Sequence, residues 1–127
     1  MDISEFLISE EATMLEAMAQ LDRVAKKVLF VVREDRFVAA ITDGDIRRWI
    51  LKKGSLDAKV RDIANYSPKS LPERKKGKAR EYMKKHSIEA LPIVDKNNNI
   101  VSIVLWTDEE ISPRKHLNIP VVIMAGG

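Results

Sequence analysis

The chain has 127 residues, 45% of them hydrophobic and 32% charged. That length excludes a large multidomain enzyme and suits one ordinary domain or two small halves sharing a core, while the abundance of Val, Ile and Leu excludes disorder. Twenty-two Lys and Arg stand against nineteen Asp and Glu, so the formal charge of +3 reflects a slight excess and not a cationic protein.

Residues 1–11 carry acids where a signal peptide carries bases, and the longest apolar runs, 28–32 and 119–125, fall far short of the ~20 residues that span a bilayer. With no cysteine there is no disulfide, thiolate nucleophile or zinc–thiolate site, which fits a reducing compartment. The sequence therefore reads as a cytoplasmic chain without membrane contact.

The first predicted helix opens on Thr13-Met14-Leu15-Glu16, a capping-box pattern, and Met14, Ala17, Met18, Leu21 and Ala25 fall at the spacing of one buried face. A β-branched run, 28–32, a charged turn, 33–36, and a second run, 37–41, follow as a hairpin with a longer loop. Residues 43–53 read as a helix with Gly54 at C′, and 55–67 as a linker. The hairpin then recurs without a gap 63 positions later, as 91–95, a turn at 96–99, and 100–104. Before it, Ala79, Tyr82, Met83 and His86 mark one helical face. After it, a shorter helical stretch, Thr107 to Ile111, is stopped by Pro113. The helices align only with a one-residue slip.

The fold class implied is mixed α/β (α+β): two tandem β-α-β-β-α repeats, 1–63 and 64–113, followed by a tail, 114–127. Neither half can bury both faces of a small sheet alone, so the halves pack sheet against sheet or helix against helix, with pseudo-twofold symmetry.

The sharpest local feature is Ile41-Thr42-Asp43-Gly44-Asp45-Ile46-Arg47-Arg48, where a buried strand meets a helix N-terminus. Free backbone N–H groups there suit anions. Gly44 lets a second group approach the backbone, the Thr42 hydroxyl adds a donor, and Asp45 is of the type that accepts both hydroxyls of a ribose. Arg47 and Arg48 lie near the positive end of the helix dipole, where a cation is disfavoured without an anion or carboxylate close by. The same residues also spell a capping box, Thr42-x-x-Asp45, which stabilises a helix with no ligand at all. Spacing leaves both readings open.

Elsewhere the chemistry is thin. His86 and His116 do not form a metal-ligand pair, no Ser, His and acid form a triad, and no glycine-rich phosphate loop occurs. Asn65-Tyr66-Ser67 matches a glycosylation sequon that an unexported chain does not use. Trp49 and Trp106 each flank a proposed ligand turn, where either packs or covers a base. Arg74, Lys75, Lys76, Lys78, Arg80, Lys84 and Lys85 cluster, and read as a solvated helix face; nucleic acid is not the expected partner.

The repeat, the strand ending in Thr42-x-x-Asp45, and Ala90-Leu91-Pro92-Ile93-Val94-Asp95 closely resemble the cystathionine-β-synthase (CBS) domain pair, or Bateman module, over about residues 4–112. The resemblance implies a cleft between the repeats that takes an adenosine nucleotide such as AMP, ADP or ATP. It places Thr42 against phosphate or ribose and Asp45 on the ribose hydroxyls, with Asp43, Gly44 and Arg47 in the same turn. In the second repeat Asp108 matches, Leu105 replaces the Thr and Thr107 is out of register, so the first-repeat cleft is favoured. Cations that some nucleotide-sensing members carry before the strand match Lys26 and Lys27, whereas the second copy has Glu89 and Ala90. The resemblance also implies a homodimer, and no catalytic residue, metal or required cofactor belongs to the expected site.

The tail, Ile119-Pro120-Val121-Val122-Ile123-Met124-Ala125-Gly126-Gly127, is similar to the opening of sugar-phosphate nucleotidyltransferases resembling mannose-1-phosphate guanylyltransferase. It implies an attached C-terminal catalytic domain. The function expected is thus a non-enzymatic regulatory module whose nucleotide modulates that domain; the alternative is a structural dimerisation module with no nucleotide bound.

Overall fold

The computed structural model describes residues 3–24 and 28–107, and the backbone of 110 and 111. A 3₁₀ turn, Ile3–Phe6, leads into β1 (Leu7–Ser9), α1 (Met14–Arg23), β2 (Val28–Arg33), β3 (Arg36–Thr42) and α2 (Asp43–Leu51). After a further 3₁₀ turn, Val60–Asp62, come β4 (Leu71–Pro72), a longer 3₁₀ segment (Glu73–Lys78), α3 (Ala79–His86), β5 (Ala90–Val94), β6 (Ile100–Leu105) and β7 (Glu110–Ile111). Strands β1 to β3 form one sheet and β4 to β7 a second, each in chain order. In both, the short first strand runs parallel to the hairpin that follows it.

Helix α1 starts where its cap dictates: the Glu16 amide donates to Thr13 Oγ1 at 3.2 Å and the Thr13 amide donates to Glu16 Oε1 at 2.8 Å, satisfying donors that a helix start leaves free. Of its expected apolar face Met14, Ala17 and Leu21 are buried and Met18 half-buried; Ala25 lies outside the described residues. Helix α2 ends earlier than its pattern suggests. The left-handed residue that follows its cap is Lys53, at φ 64°, and not Gly54. Gly54 is required for space: a Cβ there would lie 2.0 Å from the Trp49 ring, which closes over it and donates from Nε1 to the Ser55 carbonyl at 2.9 Å.

The two hairpins turn differently. In the first, Arg33 pairs with Arg36, and Glu34 and Asp35 make the reversal alone at φ 51° and 69°, a two-residue turn tighter than the loop expected. In the second, Asp95 Oδ1 accepts the amides of Asn97 at 2.8 Å and Asn99 at 3.0 Å. That carboxylate diverts backbone donors from the ladder, and strand pairing ends at Val94 and Ile100.

The second repeat also departs from the expected unit at its end. Residues Glu110–Ile111 form a strand, antiparallel to β6, where the sequence suggested a helix from 107 to 111. Five residues are too few to offset helix nucleation, whereas the free edge of β6 offers backbone partners at once.

The halves pack sheet against sheet. The larger core cluster joins Phe6, Leu29, Phe30, Val31, Phe37 and Ile41 of the first repeat to Ala90, Val94, Ile103 and Leu105 of the second, with Phe37 edge-on to Phe30 at 5.6 Å. A smaller cluster seats α3 on its own sheet through Ala79, Met83, Leu91 and Ile93. The hairpin turns clasp each other: the Phe37 amide donates to the Asn98 carbonyl at 2.8 Å, the Asn98 side-chain amide donates to the Phe37 carbonyl, and that of Asn99 donates to the Asp35 carbonyl at 2.7 Å. The segment expected to link the repeats is bonded to the first of them. Val60 is fully buried with its amide on the Ala12 carbonyl at 2.8 Å, and Asn65 exchanges two backbone bonds with Ala40.

A candidate cleft between the repeats

With the turns clasped at one end, the opposite strand ends, Val28 and Thr42 in the first repeat and Ala90 in the second, border an open cleft of about 370 Å³. Its volume lies within the range of small-molecule sites. The floor is apolar, from Val28, Phe30, Ala40 and Ile88, and polar groups converge on it from three directions. Thr42 comes from the end of β3, Asn65, Ser67 and Lys69 from the connection entering β4, and His86, Ser87 and Glu89 from the loop between α3 and β5. Ser87 holds a left-handed conformation at φ 56° and its amide closes the last turn of α3, which lets the chain reverse into β5 beside the cleft. The His86 ring packs on Tyr82 with centroids 4.5 Å apart.

At the start of α2 the capping reading holds in full. The Asp45 amide donates to Thr42 Oγ1 at 3.1 Å, and the Thr42 amide donates to Asp45 Oδ2 at 3.0 Å. The second carboxylate oxygen of Asp45 accepts from Arg48 Nη2 at 2.6 Å, and Asp43 accepts from Arg47 at 3.0 Å. Both arginines near the helix N-terminus thus have carboxylate partners within their own helix, which offsets the unfavourable dipole without an external anion. The Thr42 oxygen is used as an acceptor, leaving its hydroxyl proton free to donate at the cleft.

The expected site residues therefore separate. Thr42 lines the cleft between the repeats. Asp43 and Arg47 line a different hollow, of about 550 Å³, between α1 and α2, with Met18, Leu21, Asp22, Val24, Ile46 and Ile50. Asp45 lines neither hollow; its side chain is 21% exposed and bonded as a cap. Gly44 lies under Arg48, whose Nη1 would be 3.4 Å from an added Cβ. Lys26, Lys27 and Asp108 lie outside the described residues, as does the tail from 112 onward. Leu105, the second repeat's counterpart of Thr42, is 5% exposed and belongs to the shared core.

Sequence reasoning missed Asn65, Ser67, Lys69 and His86. The first two fall in the segment that reads as a linker, and the helical spacing of His86 points to packing. The signal that finds them is positional: each stands just before a strand whose end opens on the cleft. Trp49 covers Gly54 and does not reach the cleft. Trp106 lies beneath the Arg80 guanidinium at 4.6 Å.

A polar knot ties the connection to the first repeat on another face. Arg33 grips Glu10 through two bonds of 2.6 and 2.8 Å, and the Tyr66 hydroxyl donates to Glu10 Oε2 at 2.6 Å. These hydrogen bonds, first from Arg33 and then from Tyr66, hold the Glu10 carboxyl down at about 2. Desolvation and the bond to Glu10 push the Tyr66 phenol up to about 12. Beside it, Lys59 and Arg61 bind Glu11 at 2.6 and 3.0 Å.

Comparison with known proteins fits this architecture. The CBS domain model matches residues 1–52 and 60–108. Among curated relatives, arabinose 5-phosphate isomerase GutQ of Escherichia coli O6:H1 is 30% identical over 99 residues, 76% of this chain and 31% of the relative. The chain thus spans about a third of that protein's length. A CBS domain protein of Pyrobaculum aerophilum, solved in complex with AMP, superposes with a TM-score of 0.67 at 27% identity, covering 80% of each chain. The cytosolic domain of the Mg2+ channel MgtE, solved with ATP, shares the fold at 20% identity and a TM-score of 0.66, over 82% of this chain and 43% of that one. The expectation of a nucleotidyltransferase parent gains no support from these relatives. Among the described residues no helix is long and apolar enough to cross a membrane. With two family matches that fall on its two repeats, and with a sheet-on-sheet pair to house them, the chain belongs to the CBS domain family.

Proposed function

We propose that this chain is a regulatory module that binds an adenosine nucleotide in the cleft between its repeats. The observation that carries the reading is the cleft itself: an apolar floor flanked by strand ends of both repeats, with the Thr42 hydroxyl and the Lys69 cation at its rim. A ligand that touches both repeats favours the arrangement that holds them together, and so can bias a domain attached to them. The AMP complex of the Pyrobaculum aerophilum protein supports the ligand class. Asp45 borders the cleft's Thr42 through its cap and adds ribose contacts through the lone pairs that its cap bonds leave free; the CBS pattern assigns Lys27 and Asp108 to the same ligand. The attached domain acts on a sugar phosphate. The nucleotidyltransferase-like tail and the isomerase relatives share that substrate chemistry, and the setting is cytoplasmic.

Thermal melts with AMP, ADP, ATP and GTP test this, because a ligand that binds only the folded chain raises its melting temperature by mass action. The adenosine nucleotides are expected to raise it, and Lys69→Ala and Asp45→Ala to reduce the rise, with Asp108→Ala reducing it less. No rise with any nucleotide removes the reading.

A second reading, structural dimerisation, has its own observation. Leu15, Ile50 and Leu51 are 58%, 42% and 75% exposed, and Ile50 lines the hollow between α1 and α2. A homodimer that covers this face is compatible with nucleotide binding, and stands alone if the melts do not move. Sedimentation of the wild type and Leu51→Lys measures it; a wild-type monomer rules it out.

A further inference from the structure

Cations of the first half of the chain are paired in part, with Arg23, Arg36, Lys52 and Lys53 excepted among the described residues. Arg33, Arg47, Arg48, Lys59 and Arg61 each bind a carboxylate, and all precede residue 62. The 3₁₀ segment and α3, residues 73–86, carry seven cations against two acids, Glu73 and Glu81, and all seven cations are exposed. Among the described residues Arg74, Lys75, Lys78, Lys84 and Lys85 enter no ion pair and no side-chain hydrogen bond. A solvated helix face ordinarily places acids three or four residues from its bases. Here Glu81 has Lys84 and Lys85 at those spacings and pairs with neither. These five cations stay without a carboxylate partner, at a cost in self-repulsion.

Beside it is an aromatic wall. A hollow of about 330 Å³, bordered by Met83, Lys84, Ser87, Ile88, Glu89 and Trp106, opens next to α3. Trp106 is 39% exposed and held in place by Arg80, which stacks on the ring at 4.6 Å and donates to the Trp106 carbonyl at 2.9 Å. The other large exposed apolar residues, Leu15, Ile50, Leu51, Leu56 and Tyr66, all precede the ridge in sequence and none borders this hollow. An acidic protein partner needs apolar anchors to bind firmly, and the ridge offers one aromatic edge. A phosphodiester backbone needs cations, and an unpaired base needs a ring to stack on.

We propose that the ridge at 74–85 binds single-stranded nucleic acid, with the exposed lysines and arginines along the phosphates and one base against Trp106. The hollow shares Ser87, Ile88 and Glu89 with the cleft between the repeats, but none of the ridge's cations lines that cleft. This departs from the sequence expectation, which reads the same cluster as a solvated helix face.

Fluorescence anisotropy with labelled oligo-dT of about 20 nucleotides, and with a duplex of the same length, tests it. Five phosphate contacts give a salt slope of about −3.5, so the single strand is expected to lose on the order of 100-fold in affinity between about 50 and 200 mM salt. Lys75→Glu/Lys78→Glu reduces the slope to about −2 and weakens binding at least ~10-fold. Lys75 lies in the 3₁₀ segment and Lys78 is the N-cap residue of α3, where an acid suits the helix dipole, and circular dichroism confirms that the variant folds; Lys84→Gln/Lys85→Gln provides a second, neutral variant with the same expected direction. Lys52→Glu/Lys53→Glu lowers the net charge by as much as the first variant and is expected to bind nearly as the wild type does. Absence of binding at about 50 mM salt, equal losses in the ridge and control variants, or a duplex bound as tightly as the single strand each overturns the proposal.

Discussion

The two repeats share one fold and almost none of its local fastenings. In the first repeat both helices start on a complete capping box, the turn takes two residues, and the pairs of Arg33, Arg47, Arg48, Lys59 and Arg61 with carboxylates fasten it and the segment bonded to it. In the second, α3 has no side-chain cap and follows a 3₁₀ segment, and an Asp95-centred loop replaces the tight turn. At the position where one repeat offers the Thr42 hydroxyl to a cleft, the other buries Leu105. Apolar alternation along the strands sets the shared architecture, and polar detail is free to diverge, giving one repeat a hydroxyl at the cleft and the other a basic face.

The largest expected effect breaks the comparison at two glycines. In the first repeat Gly54→Ala drives a methyl into the Trp49 ring, at 2.0 Å, and displaces the indole from the Ser55 carbonyl. Overpacking of this kind costs about 1–3 kcal/mol. In the second, Gly77 has nothing within 4 Å of an added Cβ, and Gly77→Ala stabilises by about 0.4–1 kcal/mol through the unfolded chain. Chemical denaturation of both variants reads the difference. Equal effects would mean that the indole is not seated over Gly54.

Next comes the clasp between the turns. Asn98→Ala removes the donor from the partly buried Phe37 carbonyl, and a buried acceptor left unpaired costs about 1–3 kcal/mol. Asn97→Ala, whose neighbour relation is to Asp95 through its backbone only, is expected to cost much less. If the nucleotide cleft depends on how the repeats are held, Asn98→Ala also reduces the melting shift with AMP, whereas Asn97→Ala leaves it unchanged.

These two sites show where the sequence was legible. The 63-residue repeat, the strand runs and the capped start of α1 follow from alternation and spacing, which the fold reads locally. Gly54 was recognised as a helix-ending glycine, but the residue at positive φ is Lys53, since the constraint on Gly54 comes from a tryptophan five residues earlier folding back. Asn98 and Asn99 were simply turn residues; their partners, Phe37 and Asp35, lie 61 and 64 positions away, and no spacing within one repeat points to them. The site was legible at Thr42 alone of its lining residues. Asn65, Ser67, Lys69 and His86 reach the cleft because strands from different repeats end together, a fact of tertiary packing.

A smaller effect separates cap from ligand within the first repeat. Thr13 and Thr42 make the same capping box, and Thr→Ala at either costs about 1 kcal/mol. Only Thr42 lines the cleft. Thr13→Ala is therefore expected to lower the melting temperature while preserving the rise with AMP, and Thr42→Ala to lower both. A rise preserved in Thr42→Ala would reduce that hydroxyl to its capping role and shift the ligand contacts to Lys69 and its neighbours.

The smallest effect is electrostatic and exploits the knot that the second repeat lacks. Because Glu10 is held down at about 2 by Arg33 and Tyr66, and an unfolded glutamate titrates near its ordinary 4.5, the folded chain releases this proton more readily than the unfolded one. The stabilisation is thus fully present above about pH 4.5 and is lost as pH falls towards 2. Arg33 is 58% exposed in its side chain, so solvent screening keeps the contribution modest. Glu10→Gln is expected to be less stable than the wild type at neutral pH, with the gap closing as denaturation is repeated between about pH 4.5 and 2. Tyr66 supplies the opposite sign at the alkaline end: its phenol is raised to about 12, so its contribution persists below its ordinary value and disappears as pH rises through 12. A gap that stays constant across the acid range would show that Glu10 acts through packing and not through its charge, and would leave the first repeat's connection held by Val60, its backbone bonds and the Glu11 pairs.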